Sequence, residues 1–269
     1  MRPERTPSRL PRSSLRSGAA AGAGKVVVGY VHPESVKASF HDSLLNLLVA
    51  DMAGDRAVVD GGGRIARYSS ANVSLARNDV ARRFLDDFDA EWLLMLDADM
   101  VFGPDLLERL LTAAVGAGAP IVGALCFGHV DGELFPTLYA VDTSAEPIRM
   151  RRFAEWPPDQ MFAVNATGAA TMLVHRSVLE TMRERFPEPF PWFREEVLGE
   201  PPWGRGAPGT GSPMGEDVTF CLRAGVCGFP VYVHTGIDVG HDKHWILTAE
   251  QYAQQRAWAS APHRTEEAS

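Results

Sequence analysis

The sequence predicts an α/β fold, a mostly parallel sheet covered by helices. Two observations carry this. Through about residue 130, short apolar runs of strand length alternate with stretches whose apolar residues recur at helical spacing. Strand, helix, strand, helix, strand, helix, strand is the order that produces a parallel sheet. From residue 131 the pattern changes to shorter strands separated by Pro- and Gly-rich connections. A chain of 269 residues, 45% hydrophobic and 22% charged, is enough for one large domain or two small ones.

The elements follow in order. Met1 to Gly24 is rich in Arg, Ser, Pro, Ala and Gly without apolar periodicity, and is read as a disordered tail. Lys25 to Val31 is the first strand. Ser35 opens a helix with apolar positions Val36, Phe40, Leu44, Leu47 and Leu48. Arg56 to Asp60 is read as a second strand, closed by Gly61 to Gly63, and Arg64 to Tyr68 as another. A helix from Asn72 to Asp87 buries Val73, Val80, Ala81, Phe84 and Phe88. Arg77 falls on that same stripe, so this cation needs an anionic partner, either a core carboxylate or a phosphate.

Glu91 to Met100 is the pivot. An uncharged run, Leu94 to Leu96, ends in Asp97-Ala98-Asp99 at the carboxyl end of the strand, where open α/β sheets bind ligands. If the extended geometry persists, both carboxylates point the same way and call for a hard cation between them. Gly103-Pro104-Asp105 then starts a helix with Leu106, Leu107, Leu110 and Leu111 inward. Leu110 to Val130 carries no formal charge, but five Gly and Pro residues break it. It reads as a helix end, a turn and a strand (Ile121 to Phe127), not a membrane span. Thr137 to Val141, Ile148 to Phe153, Met161 to Val164 and Thr171 to Val174 are further strands. Ser177-x-x-Glu180 reads as a capping box, as does Thr248-x-x-Gln251. Pro201 to Pro213 is long enough for a lid or binding loop. Trp192 and Trp203 are candidates for stacking on a sugar or simply for capping the core. Glu216 and Asp217 open a helix, where the dipole favours and ionises carboxylates. Val231 to His234 leads to Val239-Gly240-His241.

Formal net charge is −8, and the first 24 residues carry five Arg and one Glu, leaving −12 for the rest. So acidic a body argues against a broad nucleic-acid-binding face. Three cysteines, without a Cys-x-x-Cys pair, suggest neither a disulfide framework nor a zinc cluster and fit a reducing cytoplasm.

The ordered set Ala76-Arg77-Asn78, Leu96-Asp97-Ala98-Asp99, Gly215-Glu216-Asp217 and Gly240-His241 resembles the GT-A glycosyltransferases, especially the family 2-like, nucleotide-sugar-dependent group. The resemblance spans roughly residues 25 to 253. It implies a Rossmann-like GT-A sheet with a smaller mixed acceptor-side sheet. The nucleotide-sugar half would cover 25–130, the acceptor-side half 131–253, and a frayed tail 254–269. It further implies Mn²⁺ or Mg²⁺ held by Asp99 and His241, with Asp97 on the ribose or a metal-bound water. Asp217 would be the base of an inverting transfer and Glu216 would orient the acceptor. Tyr30, Val31 and Arg77 would face the nucleotide or diphosphate of a UDP- or GDP-sugar. Asp60 resembles the family's Asp after the second strand, although the residues that follow depart from the pattern. The loop containing Gly168 resembles the one below the acceptor, and the loop containing Trp203 would close over the donor. A nucleotidyltransferase would usually carry a Gly-rich phosphate loop near the first strand, and Gly61 to Gly63 is not at that place. A non-catalytic sugar-nucleotide-binding protein would have less use for the intact Glu216-Asp217 pair.

Overall fold

The computed structural model describes residues 24–54, 57–69, 72–130, 133–142, 149–205, 209, 211–243 and 246–259. The first half runs β1 (Val26–His32), α1 (Ala38–Ala53), β2 (Val59–Tyr68), α2 (Val73–Asp87), β3 (Trp92–Asp97), the short β4 (Met100–Val101), α3 (Leu106–Ala117) and β5 (Ile121–Leu125). The second half begins with β6 (Phe127–Val130), β7 (Glu133–Pro136), β8 (Leu138–Asp142), β9 (Arg149–Arg152), β10 (Met161–Val164), β11 (Ala166–Thr167) and β12 (Thr171–His175). It continues through α4 (Arg176–Arg185), β13 (Glu196–Leu198), β14 (Ser212–Met214), α5 (Glu216–Val226), β15 (Val231–Asp238), β16 (Gly240–Asp242), β17 (Ile246–Leu247) and α6 (Ala249–Ala259).

A seven-stranded sheet in the order β10-β15-β5-β12-β3-β1-β2 forms the middle layer. Five strands run one way, while β12 and β10 run against their neighbours. The strand alternation sorts the core onto two faces. Val27, Val31, Leu93 and Met95 join Val80, Phe84, Leu179 and Phe220 from α2, α4 and α5. Val26, Val28, Leu94 and Leu96 join Phe40, Leu47, Leu107 and Leu110 from α1 and α3 on the other face. The central strands are apolar on both sides because helices cover both sides. A smaller antiparallel sheet, β11-β8-β9, stands beside the main one. A third cluster, around Phe127, Leu138 and Val233, is closed by Tyr252 of α6.

Several expectations are corrected. The two strands read around Gly61 to Gly63 are one, β2, whose register against β1 shifts between Val26 and Val28. Gly61 adopts φ +50, and the irregularity absorbs the glycines without ending the strand. Helix α1 starts at Ala38, and Val36 remains exposed. The strand expected over Ile121 to Phe127 divides at Cys126, whose carbonyl accepts from Thr137 N and Oγ1 at 3.0 and 3.2 Å. Ser177 does not cap α4, because His175 is the N-cap and its side chain accepts from Ser177 N. The Thr248 box does form: Thr248 N donates to Gln251 Oε1 at 3.0 Å, and Gln251 N to Thr248 Oγ1 at 3.3 Å. Helix α6 continues past 253 to Ala259, tied where Leu134 N donates to Gln255 Oε1 at 2.9 Å. The tails 1–23 and 260–269, Ile148 and part of the 201–213 stretch lie outside the described residues. That stretch is clasped at its base by antiparallel pairing of β13 with β14. Among the described residues, no helix is long and apolar enough to cross a membrane, and Cys126, Cys221 and Cys227 are free.

Candidate active site

The site gathers at the carboxyl edge of β1 and β3. Val31 pairs with Asp97, and Ala98 N donates to Val31 O at 3.1 Å, extending that pairing by one residue. On its other flank Asp97 N donates to Ala170 O at 2.9 Å. Asp97 is thus pinned by backbone on both sides. Strand β3 stops there. Ala98 and Asp99 turn, so the extended geometry that would have aligned the two carboxylates is lost and each meets its own cation.

Arg77 finds carboxylates as its anionic partners. Asn72 caps α2 by accepting from Leu75 N at 3.0 Å, and the helix delivers Arg77 to the sheet edge only 4% exposed. Its Nη2 donates to Asp97 Oδ1 at 2.6 Å and its Nη1 to Glu216 Oε1. The guanidinium carbon also lies 6.0 Å from the Phe193 ring centroid. Burial opposes the charge of Arg77, but Asp97, Glu216 and Asp217 together outweigh it and raise its pKa. A planar fork with several donors suits this bridge, where an ammonium would not. Next to it, Asn78 donates to Ser74 O and Phe193 O at 2.7 and 2.6 Å, fixing the segment that lies against Arg77.

Glu216 and Asp217 lie in the first turn of α5, with Gly215 as N-cap. Burial raises the pKa of both carboxyls, and the nearby Arg77 charge partly offsets it. Asp217 Oδ1 accepts from Val218 N at 2.7 Å. Gly168 lies against this carboxylate: a Cβ added there would touch Thr137 at 3.6 Å and Asp217 Oδ2 at 3.7 Å. This arrangement offers a half-buried carboxylate with a raised pKa beside Gly168 and Thr137, a group suited to general-base chemistry.

The second cluster is built by pairing β4 with β16, which sets His241 opposite Met100 beside Asp99. His241 Nε2 lies 3.2 Å from Asp99 Oδ2, and Nδ1 lies 3.1 Å from the Phe127 carbonyl oxygen. A carbonyl partner at Nδ1 orients the ring so that Nε2 meets the carboxylate. Lys243 Nζ donates to the same Asp99 oxygen at 2.8 Å. Burial works against the Asp99 charge, but His241 and Lys243 outweigh it and bring its pKa down to about 2. One carboxylate and one imidazole fit Mn²⁺ or Mg²⁺, which complete their shells from waters and phosphate oxygens. Asp97 meets Arg77 instead, and among the described residues no group of three His, Cys, Asp or Glu side chains is placed to hold an ion.

Other expected residues fall elsewhere. Tyr30 and Val31 do reach the carboxyl edge. Asp60 does not: it follows Val59, which pairs with Val26 at the opposite end of β1, five residues and about 17 Å from Val31. Trp203 packs at the core margin with Nε1 donating to Glu196, whose carboxylate also receives Arg223. Trp192 is fully buried and donates to Leu179 O at 2.8 Å, a core residue. The sequence reading missed His32, Tyr68 and Lys243. The rings of His32 and Tyr68 lie 6.2 Å apart, and those of Tyr30 and His32 5.8 Å, an aromatic rim at the carboxyl edge with Tyr68 59% exposed. Their positions at strand ends were a signal that could have found them. An open cleft of about 550 Å³ lies one helical turn before Arg77, lined by Asn72, Ser74, Phe190 and Arg194 among others.

No curated protein matches the chain. Among solved structures, A197 from STIV is 17% identical, with TM-score 0.49, covering 81% of this chain and 86% of that one. The crystal structure of GalNAc-T7 with UDP, GalNAc and Mn²⁺ is 12% identical, with TM-score 0.50 and 81% of this chain covered. The match spans 44% of that longer chain. At this identity the likeness to GalNAc-T7 concerns the fold, a GT-A arrangement of a mostly parallel sheet flanked by helices. A family model described as Glycosyltransferase like family 2 matches residues 48–260, most of the chain and every carboxylate of the site, and the chain belongs to that family.

Proposed function

We propose that the protein transfers a sugar from a nucleoside-diphosphate donor, UDP- or GDP-linked, to an acceptor hydroxyl with inversion at the anomeric carbon. The observation that carries this reading is the juxtaposition of Asp217 and Gly168 with Arg77 and Asp97, next to the Asp99–His241 pair. Asp217 takes the acceptor proton while the acceptor oxygen bonds to the anomeric carbon. The bond from that carbon to the diphosphate breaks, and its electron pair leaves with the diphosphate. Arg77 is a positioning residue here: it holds Asp97 and Glu216 in place and tempers the charge around Asp217. Asp97 faces the donor, Glu216 orients the acceptor, and Tyr30 and Val31 floor the base. Asp99 and His241 would hold a divalent ion, which would supply Lewis-acid chemistry for the departing diphosphate. Trp203, anchored to Glu196, would serve the acceptor side. Three free cysteines agree with work in the reducing cytoplasm.

Calorimetry with UDP and with GDP, each with Mn²⁺ or a chelator, tests the donor half. One nucleotide should bind at least about tenfold tighter with Mn²⁺, and Asp99→Asn should remove most of that gain. Equal affinity with metal and chelator would remove the metal assignment. Release of nucleotide from a nucleotide sugar over many turnovers separates an enzyme from a binding protein.

A further inference from the structure

Asp99 Oδ2 has two nitrogen partners, His241 Nε2 at 3.2 Å and Lys243 Nζ at 2.8 Å. The imidazole belongs to the metal assignment, but the ammonium has no part in it. An ion ligated by Asp99 lies about 2.1 Å from a carboxylate oxygen. The ammonium already occupies that side of the group, and two cations cannot share one small oxygen without strong repulsion.

The backbone around Lys243 is held by neighbouring elements, whereas its side chain is held through the contact of its ammonium with Asp99. Lys37 Nζ donates to the Lys243 carbonyl at 3.0 Å, and both Lys37 and Ser39 reach the Asp242 carboxylate. The Asp242 amide donates to Asp99 O at 2.7 Å. The Lys243 side chain is 52% exposed and ends a flexible four-carbon stem. It can leave Asp99 by side-chain rotation alone, with the strand pairing that seats His241 intact.

Resting on the metal reading above, we propose that Lys243 is a tethered counter-ion that occupies the cation seat of Asp99 in the metal-free protein and is displaced when a divalent ion loads. The arrangement keeps Asp99 neutralised beside His241 and weakens binding of free metal. Metal loading is then favoured when a donor diphosphate arrives with its own negative charge, which also receives the displaced ammonium. Lys243 is a residue that sets metal affinity, not a ligand.

The test is Mn²⁺ alone titrated into the full chain, with free ion followed by electron paramagnetic resonance, for the wild type, Lys243→Met and Lys243→Arg. Lys243→Met is expected to bind Mn²⁺ about fivefold tighter, the upper scale for a partly exposed ion pair. Lys243→Arg, which keeps the charge, should stay near wild type. With UDP and Mn²⁺ together, Lys243→Met should lose that advantage. Unchanged or weaker Mn²⁺ binding in Lys243→Met overturns the counter-ion role while wild-type binding leaves the metal site standing. Binding in Lys243→Met but not in wild type supports it. No Mn²⁺ binding in any of the three, with UDP present or absent, overturns the metal site and the counter-ion role with it.

Discussion

Two residues separate chemistry from architecture. Asp217→Asn keeps size and an oxygen that can still accept from Val218 N, so the fold should survive. Transfer should fall by about 10²-fold or more while binding of metal and nucleotide persists, measurable as turnover against calorimetry. Arg77→Met acts differently. It leaves Asp97, Glu216 and Asp217 without the cation between them, and loss of one partner from a buried pair costs about 3–5 kcal/mol. Chemical denaturation would read that loss. On the proposed mechanism activity requires ionised Asp217, so it should fall as pH drops through that group's raised pKa. Arg77 holds this pKa down against burial. In the fraction of Arg77→Met that folds, the acid limb of the pH–rate profile should therefore move to higher pH. Arg77 was legible in the sequence because a cation on a buried helical stripe demands a partner. Which partner was not legible, since a phosphate and a carboxylate pose the same demand. Lys243 was invisible for another reason: its partner lies 144 residues away and no local period marks the pair.

Between elements, one tight constraint is where α2 meets β1. A Cβ added at Gly29 would lie 2.5 Å from Val80 Cγ1 and 3.0 Å from Leu93 Cδ1. Gly29→Ala should therefore push α2 from the sheet, lowering stability by about 1–3 kcal/mol in calorimetric unfolding. Because Arg77 is one turn before Val80, the substitution should also weaken nucleotide binding. Apolar periodicity revealed α1, α2 and α3, whose buried faces carry most of their sequence signal. It did not reveal that β2 runs through three glycines, since the strand's continuity comes from pairing with β1 and not from its own residues. The box at Ser177 misled for a related reason. His175, at the end of β12, already sits where the helix begins and takes the cap, which leaves Ser177 within the first turn.

At the scale of the molecule, α6 closes the wall that steadies His241. The Tyr252 ring lies 5.2 Å from Phe127 and 5.8 Å from Trp156, and the Phe127 carbonyl faces His241 Nδ1. Tyr252→Ala should cost about 1–2 kcal/mol for a half-buried ring. It should also weaken Mn²⁺ binding, a readout that separates support of the site from bulk stability. The parallel character of the sheet could be read from the order of strands and helices. The reversed β12 between β3 and β5 could not, because an apolar strand looks the same in either direction.

That reversed strand governs how the chain must mature as it leaves the ribosome. When Leu125 has been made, β3 and β5 exist but the strand that joins them, β12, begins 46 residues later at Thr171. At roughly 5–20 residues per second, the interval is about 2–9 s. Throughout it, Leu93 to Leu96 and Ile121 to Leu125 offer unpaired apolar edges to whatever is nearby. The nascent protein is accordingly expected to depend on holding chaperones until residue 175 emerges, and fragments ending near 130 should aggregate when expressed alone.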